Sequence, residues 1–240
     1  MPEHPLSGHL AIVTGALGRL GPVWVDALRG AGAEVVGIDV QAGEGVERAD
    51  VTDRARLEEV LARVGTPQVL VNNAGIDQPP DPDGAGAASD EEFLRVLDVN
   101  TRGTFVASQV FGPAMQAAGG GSIVNIGSLY ASISPDPSFY DHIPGFLKPP
   151  AYAASKAGVV ALTRYFARLW GPRGVRVNAL SPGGVRASQD GEFLRKYNAR
   201  VPLGRMAEPD DLTGPLLFLA SDASRYVTGH ELRVDGGFTA

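Results

Sequence analysis

Short runs of β-branched apolar residues alternate along this chain with longer stretches of helical periodicity. The runs carry few polar residues, which is typical of strands buried on both faces of a sheet. Because each run is followed by a stretch long enough for a crossover helix, neighbouring strands are expected to pair in parallel. The predicted strands are residues 10–13, 34–38, 68–71, 122–126, 175–180 and 230–234.

Helical patterns fill the intervals at residues 53–64, 89–118 and 152–170. Ser89 precedes three acidic residues, which is the pattern of an N-cap and an acidic first turn. The alternation predicts an α/β fold, a Rossmann-type doubly wound parallel β-sheet flanked by helices on both faces. At 240 residues and 44% hydrophobic composition, the chain is expected to form one domain over residues 1–240.

Charge and composition exclude several classes of function. The net charge of −6 provides no basic face for nucleic acid. Residues 1–10 lack the features of a signal peptide, and no apolar run is long enough to span a membrane. Cysteine is absent, which excludes disulfides and thiolate chemistry and leads us to expect a cytoplasmic location. The four histidines lie far apart in sequence, so no metal site is predicted.

A glycine-rich turn follows the first predicted strand, where residues 14–21 read TGALGRLG. Glycines let the backbone approach a pyrophosphate, whose charge then meets the N–H groups and dipole at the start of the next helix. Such a turn also occurs where a strand and a helix merely pack closely. The residues predicted to contact a cofactor here are Gly15, Leu17, Gly18, Arg19, Leu20 and Gly21.

Polar residues follow other predicted strands. Asp39 comes at the end of the second strand, where a carboxylate can accept hydrogen bonds from the hydroxyls of an adenosine ribose. Asp50 and Val51 follow an additional strand, the third in chain order, for which the sequence gives no bounds. The sequence NNAG at residues 72–75 follows the fourth strand, residues 68–71. Ligands bind at the carboxyl ends of strands in open α/β sheets. Together with the glycine-rich turn, these residues predict a dinucleotide site.

Tyr152 and Lys156 lie on one face of a predicted helix in the sequence YAASK. A free tyrosine has a pKa of about 10, so acid/base work near neutral pH needs a fall of roughly 3 units, or about 4 kcal/mol. A cation about 4 Å away contributes on the order of 4 kcal/mol at an effective dielectric constant near 20. Lys156 is therefore expected to lower the pKa of Tyr152, although such a pair also occurs by chance on helix surfaces.

In these motifs the sequence resembles the short-chain dehydrogenase/reductase family, and the resemblance covers nearly the whole chain. It implies an NAD-dependent enzyme that moves a hydride between nicotinamide and the hydroxyl or carbonyl carbon of a small molecule, with Tyr152 as the acid/base. It also implies that Asp50 and Val51 flank the adenine. The residues that would line the adenosine side are Asn73, Ala74 and Gly75.

The resemblance extends to a catalytic tetrad of Asn100, Ser128, Tyr152 and Lys156. By resemblance, the Ser128 hydroxyl would hydrogen-bond the substrate oxygen as charge develops on it. Asn100 would hold a water that links Lys156 to solvent. Without the family, Ser128 can also be interpreted as a turn residue and Asn100 as a buried amide satisfied locally.

The sequence NALSPGGV at residues 178–185 matches the segment that holds the nicotinamide carboxamide in the family. The resemblance assigns Pro182, Gly183 and Val185 to the cofactor. The family often has a threonine two residues later, where this chain has Ala187, and Ser188 is the expected substitute.

The glycine spacing TGxxGxxG departs from the TGxxxGxG of the compact branch and places Arg19 where that branch has its middle glycine. This spacing is commoner among extended epimerases and dehydratases, but 240 residues leave little room for their added lobe. NAD is expected over NADP, because a 2′-phosphate beside Asp39 meets a like charge. Arg19 is the residue that would offset this repulsion.

Two Pro-rich segments, residues 77–88 and 129–150, are predicted to be loops at the rim of the site. The second is longer than the family usually has. Its aromatic residues and interspersed polar groups favour a polyhydroxylated substrate such as a sugar, polyol or sugar acid. An oligomer contact is the alternative interpretation of this insert. The aromatic and polar residues in it are Tyr130, Phe139, Tyr140, Asp141, His142, Phe146 and Lys148.

Three other functions remain open at this point: a 3-oxoacyl thioester reductase, a non-catalytic NAD-binding regulator on the same fold, and an extended-type sugar epimerase. Members of the family commonly form dimers and tetramers. The resemblance therefore implies a homo-oligomer, with a tetramer as the specific expectation.

Overall fold

A single β-sheet organises the fold of the protein. The computed structural model describes residues 4–77, 89–143 and 149–240. Within these residues seven strands form one sheet in the order β3-β2-β1-β4-β5-β6-β7. All neighbouring strands pair in parallel. The strands are β1 Leu10–Thr14, β2 Glu34–Asp39, β3 Val46–Arg48, β4 Val69–Asn72, β5 Gly121–Ile126, β6 Val175–Pro182 and β7 Glu231–Val234.

Helices cover both faces of this sheet. Trp24 and Leu28 on one helix pack with Leu216 on another over one face, and Phe111 and Phe166 belong to the core on the other face. These two apolar layers confirm the predicted doubly wound α/β fold. The helices are α1 Gly21–Gly30, α2 Arg54–Val64, α3 Asp90–Leu97, α4 Gly103–Ala117, α5 Pro150–Trp170, α6 Gly191–Arg200 and α7 Thr213–Ala220.

The predicted helix over residues 89–118 begins as expected but is not a single α-helix. The Ser89 hydroxyl accepts a hydrogen bond from the amide of Glu92, which confirms the N-cap. A π-helical turn, Asp98–Arg102, then separates α3 from α4. Its wider winding carries Asn100 inward to bond the backbone of Ile76, a tertiary contact that sequence periodicity does not report.

Helix α5 begins at Pro150, two residues before the predicted start. A proline at the first helical position loses no intrahelical hydrogen bond and has a suitable φ. Across the three described stretches of chain, no helix combines the length and the apolar character needed to cross a bilayer.

Candidate active site

The carboxyl ends of the central strands surround a cavity of about 1010 Å³. The loops that follow β1 and β4 leave the sheet in opposite directions here, and such a point opens a crevice for ligands. Most of the residues predicted to hold a cofactor or to act in catalysis line this cavity. They are Gly15, Gly18, Arg19, Leu20, Asp39, Asp50, Val51, Asn73, Ala74, Gly75, Ser128, Tyr152, Lys156, Pro182, Gly183 and Val185.

The glycine-rich turn needs its glycines for close approaches. Gly15 has φ +64°, and a Cβ there would lie 2.7 Å from the Cα of Ala74. A Cβ on Gly21 would lie 2.3 Å from the carbonyl oxygen of Ala16. Gly21 is therefore buried in the closure of the turn and is not among the residues that line the cavity.

Asp39 lies at the end of β2 with its carboxylate held by two backbone amides. The Leu17 N–H donates to Oδ2 and the Gln41 N–H donates to Oδ1, each at 3.0 Å. Leu17 does not line the cavity itself, so its contribution is to orient Asp39. The Arg19 guanidinium donates instead to the carbonyl of Val185, after β6. Among the described residues no hydrogen bond or ion pair joins it to Asp39, where it was expected to offset the repulsion of a 2′-phosphate.

The side chain of Asn73 holds the glycine-rich turn in place. Its Nδ2 donates to the carbonyls of Thr14 at 3.1 Å and Gly15 at 2.8 Å, and its Oδ1 accepts from Trp24 Nε1 at 2.7 Å. The Thr14 hydroxyl in turn accepts the backbone amides of Asn73 and Ala74 at 3.1 Å. The NNAG sequence thus joins the ends of β1 and β4, in addition to lining the cavity.

Tyr152, Ser128 and Lys156 converge on one wall of the cavity. The side chains of Tyr152 and Ser128 share a hydrogen bond. The Lys156 Nζ lies 5.6 Å from the centre of the Tyr152 ring and donates to the carbonyl of Ile126 at 2.7 Å. The α5 helix and the end of β5 therefore bring together a phenol, a hydroxyl and an amine around one region of the cavity.

The pKa of Tyr152 differs from the expectation based on its spacing from Lys156. Burial raises the Tyr152 pKa to about 12, with a smaller increase from Asp77, while Ser128 and Arg19 act to lower it. Burial also lowers the pKa of Lys156 to about 8. Burial removes water from both groups. For Tyr152, the resulting rise in pKa is larger than the fall that Ser128 and Arg19 cause in the protein without cofactor.

Asn100 uses its side chain to position the loop after β4. Its Oδ1 accepts from the Ile76 amide at 2.8 Å, and its Nδ2 donates to the Ile76 carbonyl and the Ser155 hydroxyl at 2.9 Å. A Cβ on Gly75 would lie 3.2 Å from Asn100 Oδ1 and 3.6 Å from Lys156 Nζ. Asn100 thus lies close behind the wall that Ser128, Tyr152 and Lys156 form, although it does not line the cavity.

The turn after β6 is tightly enclosed. A Cβ on Gly183 would lie 2.8 Å from the Cα of Asp235, and one on Gly184 would lie 2.7 Å from the Tyr197 ring. The Val185 carbonyl accepts from Arg19 and from Gln189 Nε2, the latter at 3.0 Å. Ser188, the expected substitute for the family's threonine, does not line the cavity, whereas Gln189 does.

The insert after β5 contributes to both the cavity and a separate aromatic cluster. Tyr130 and Tyr140 line the cavity. Phe139 is buried among aromatic side chains of α6. Phe146 and Lys148 lie outside the described residues, as do residues 78–88 of the other predicted loop.

Several cavity residues were not assigned an individual role by the sequence, because they carry no local motif. Asp77, next to the NNAG sequence, is close enough to influence the pKa values of Tyr152 and Lys156. Ile76 and Gly184 also line the cavity. So do four residues of the segment 189–206, which the family resemblance assigns to a substrate lid: Gln189, Phe193, Tyr197 and Met206.

Comparisons with known proteins agree with this arrangement. A family model described as enoyl-(acyl carrier protein) reductase matches residues 23–239. Galactitol 2-dehydrogenase (L-tagatose-forming) of Cereibacter sphaeroides is 38% identical over 256 residues, which cover 98% of this chain and 96% of that protein.

Solved structures give the same result. A short-chain dehydrogenase of Leptospira borgpetersenii with bound NAD+ is 36% identical with a TM-score of 0.89, covering 98% of this chain and 94% of that one. A gluconate 5-dehydrogenase of Burkholderia cenocepacia in complex with NADP and tartrate is 30% identical with a TM-score of 0.87, covering 99% and 97%. This chain belongs to the short-chain dehydrogenase/reductase family of oxidoreductases.

Proposed function

We propose that this protein is an NAD-dependent oxidoreductase that interconverts a secondary alcohol and a ketone on a polyhydroxylated, sugar-type substrate. The observation that carries the proposal is the convergence of Ser128, Tyr152 and Lys156 on the cavity that also holds the glycine-rich turn and Asp39. An acid/base group and a dinucleotide site in one cavity are what hydride transfer requires.

The residues present fit a dinucleotide. The close approach of Gly15 to Ala74 leaves no room for a side chain at the base of the turn, which suits a backbone that contacts a pyrophosphate. Asp39 is held facing the cavity and would bind the adenosine ribose hydroxyls. Gly18, Arg19 and the turn at residues 182–185 would hold the phosphates and the nicotinamide.

NAD is favoured over NADP by the charge of Asp39. Solved relatives carry either cofactor, so the side chains of this chain must decide. At about 4 Å and an effective dielectric constant near 20, a carboxylate repels each unit of phosphate charge by on the order of 4 kcal/mol. The contact of Arg19 with Val185 leaves that repulsion in place.

In the direction of alcohol oxidation, Tyr152 accepts the hydroxyl proton of the substrate. Ser128 donates a hydrogen bond to the substrate oxygen and thereby stabilises the charge that develops there. Lys156 presents its amine near the Tyr152 ring, and Asn100 fixes the neighbouring backbone. When bound, the cofactor supplies the hydride acceptor and, as oxidised nicotinamide, a positive charge that favours the phenolate.

The polar groups around the catalytic wall support a hydroxyl-rich substrate. Tyr130, Tyr140, Gln189 and Asp77 offer donors and acceptors where a fatty chain would call for an aliphatic lining. The galactitol and gluconate dehydrogenases among the relatives have substrates of this chemistry.

The direct test is a substrate screen with purified protein, in which NAD reduction is followed by absorbance. The panel contains polyols, aldoses, sugar acids, a steroid alcohol and 3-hydroxyacyl thioesters. We expect turnover with a polyol or sugar acid, and none with the same substrates when Tyr152 is replaced by phenylalanine. Turnover confined to other alcohols would refute the substrate class.

A second candidate is reduction of a 3-oxoacyl thioester, which shares an acyl thioester substrate, though not the bond reduced, with the enoyl-(acyl carrier protein) reductase of the matching family model. The same screen separates the two functions. Oxidation of 3-hydroxyacyl thioesters with at least about tenfold greater efficiency than any polyol would favour this candidate.

We also propose a homo-oligomer, with a tetramer as the specific form. One face of α3, α4 and α5 exposes apolar side chains around a second cavity of about 730 Å³. Leu94 on this face is 62% exposed and Tyr165 is 59% exposed. Light scattering should give a lower mass for Leu94→Glu than for the parent, and an unchanged mass for Tyr226→Glu at an exposed residue elsewhere.

We propose a cytoplasmic location and a single domain over residues 1–240. The absence of cysteine is compatible with a reducing compartment. Fractionation of source cells tests the location, and a single cooperative calorimetric transition tests the domain organisation.

A further inference from the structure

Tyr197, on α6, contacts the turn at residues 182–185 directly. Its side chain is 3% exposed, and its hydroxyl oxygen accepts a hydrogen bond from the Gly184 amide at 2.5 Å. A Cβ on Gly184 would lie 2.7 Å from both Tyr197 Cζ and Met206 Cε. Gly184, the second glycine of the SPGGV sequence, therefore has no room for a side chain because the Tyr197 ring packs against it. This packing is a contact between distant residues that no local sequence pattern predicts.

The opposite side of the Tyr197 ring belongs to an aromatic cluster that includes the insert. The ring centre lies 5.8 Å from that of Phe139 in the insert, 5.8 Å from that of Phe193 and 5.0 Å from that of Phe238. Tyr197 thus connects the insert to the turn after β6 through its own ring and hydroxyl.

Ion pairs and a hydrogen bond also join the insert to α6, next to the aromatic cluster. Asp136 pairs with Arg200 at 2.6 Å, and Asp141 pairs with Lys196. His142 bonds Asp190, the N-cap of α6, at 2.9 Å. The insert segment 136–142 and α6 are therefore expected to move as one body.

The turn itself is otherwise bound to a different part of the fold. Gly183 donates to the Val234 carbonyl at 2.9 Å, and the Ala207 amide donates to the Gly184 carbonyl at 2.9 Å. Both partners lie outside the insert and α6. The Gly184–Tyr197 hydrogen bond thus provides a direct route by which a displacement of that body reaches the turn.

We propose that Tyr197 is a positioning residue that couples the insert and α6, on the substrate side of the cavity, to the backbone that holds the nicotinamide. This inference rests on the proposed function for its catalytic consequence, because Val185 is assigned to the nicotinamide only there. The phenol oxygen aligns Gly184, and Gly184 precedes Val185. Substrate contacts with the insert and the orientation of the nicotinamide are then set by one side chain.

The test is Tyr197→Phe, which keeps the ring and removes only the acceptor. In the protein without cofactor, hydrogen–deuterium exchange of the Gly184 amide should quicken by about tenfold, the effect of losing one hydrogen bond. With cofactor and a polyol, kcat should fall on the order of tenfold with a larger primary deuterium isotope effect, while the KM for NAD changes by less than about threefold.

The matched control is Phe238→Leu, which keeps the hydroxyl and loosens the cluster from outside the insert and α6, so that these two elements stay joined to each other. We expect it to lower the Tm while Gly184 exchange stays slow. Equal exchange in Tyr197→Phe and the parent would overturn the proposal, as would equal acceleration in both variants, because the effect would then reflect packing alone.

A double-mutant cycle with Phe139→Leu tests the coupling to the insert. Phe139→Leu should accelerate Gly184 exchange in the parent and add little in Tyr197→Phe. Additive effects would show that Tyr197 does not transmit the displacement, and would overturn the proposal. If the parent oxidises no polyol but the exchange cycle is non-additive, the proposed function fails and the coupling stands.

Discussion

Replacing Lys156 by methionine should stabilise the folded protein at neutral pH while removing its activity. The Lys156 side chain is 5% exposed, and burial lowers its pKa from 10.5 to about 8. The folded state therefore binds the lysine proton less tightly than the unfolded chain does. At pH 7 lysine is protonated in both states, so the fold carries the cost of a buried charge.

The magnitude follows from the pKa difference. The pKa of Lys156 falls from 10.5 to about 8, and at about 1.36 kcal/mol for each pKa unit this difference corresponds to about 3 kcal/mol. Methionine also loses the hydrogen bond from Nζ to the Ile126 carbonyl, which costs about 1 kcal/mol. The net gain at pH 7 is about 2 kcal/mol, or a rise in Tm of about 4–8 °C.

The pH dependence gives the sharper test. Because the folded pKa lies below the unfolded value, the stability of the parent should rise as pH increases from about 8 to about 10.5. The advantage of Lys156→Met should shrink over the same interval. Thermal unfolding of both proteins, followed by circular dichroism at several pH values, measures this difference.

Lys196→Met is the matched control, because Lys196 forms a contact with Asp141 near the surface. We expect no stabilisation from it at pH 7. A Lys156→Met variant that is less stable than the parent at pH 7, or a difference that does not change with pH, would refute the reasoning.

Three further predictions concern the proposed chemistry. Tyr152→Phe should reduce kcat at least about a thousandfold and change the Kd for NAD by less than about twofold, since only the hydroxyl that transfers the proton is lost. Steady-state rates measure kcat and titration measures the Kd, and substantial remaining turnover would contradict the role of Tyr152. Arg19→Gln should move the pH–rate profile for alcohol oxidation to higher pH, because the Arg19 charge lowers the Tyr152 pKa; an unchanged profile would show that this charge does not act on Tyr152. Asp39→Asn should reduce the ratio of catalytic efficiency with NAD to that with NADP by at least about tenfold, while Asp50→Asn leaves the ratio unchanged; an unaltered ratio in Asp39→Asn would remove Asp39 from cofactor selection.

The fold could be predicted because its determinants are local. A strand buried on both faces must be apolar along its whole length, so the predicted start of β1 at residue 10 agrees with Leu10–Thr14. The N-cap at Ser89 was likewise predictable, since the capping hydroxyl and the amide it binds lie within one turn.

The helix over residues 89–118 shows where local pattern fails. Its apolar periodicity is continuous, and only the hydrogen bonds of Asn100 with Ile76 and Ser155 mark the place of the π-helical turn. These partners lie far from Asn100 in sequence. A property that depends on such contacts is not recorded in the spacing of neighbouring residues.

The prediction that Lys156 lowers the Tyr152 pKa was wrong for a related reason. The spacing between Tyr152 and Lys156 indicates a nearby cation, but it does not show that burial removes both side chains from water. Desolvation depends on every element packed around the wall, and it reverses the direction of the expected shift.

The sequence by itself determined most of the strand and helix pattern and the glycine-rich turn, because each depends on residue type and on neighbours within a few positions. Tertiary structure alone decided that Arg19 reaches Val185, that Gln189 lines the cavity where Ser188 does not, and that Tyr197 accepts a hydrogen bond from Gly184. These contacts join elements distant in the chain. Their geometry is fixed by the packing of the whole sheet and its helices, and a side chain of a given type has many possible partners until that packing selects one.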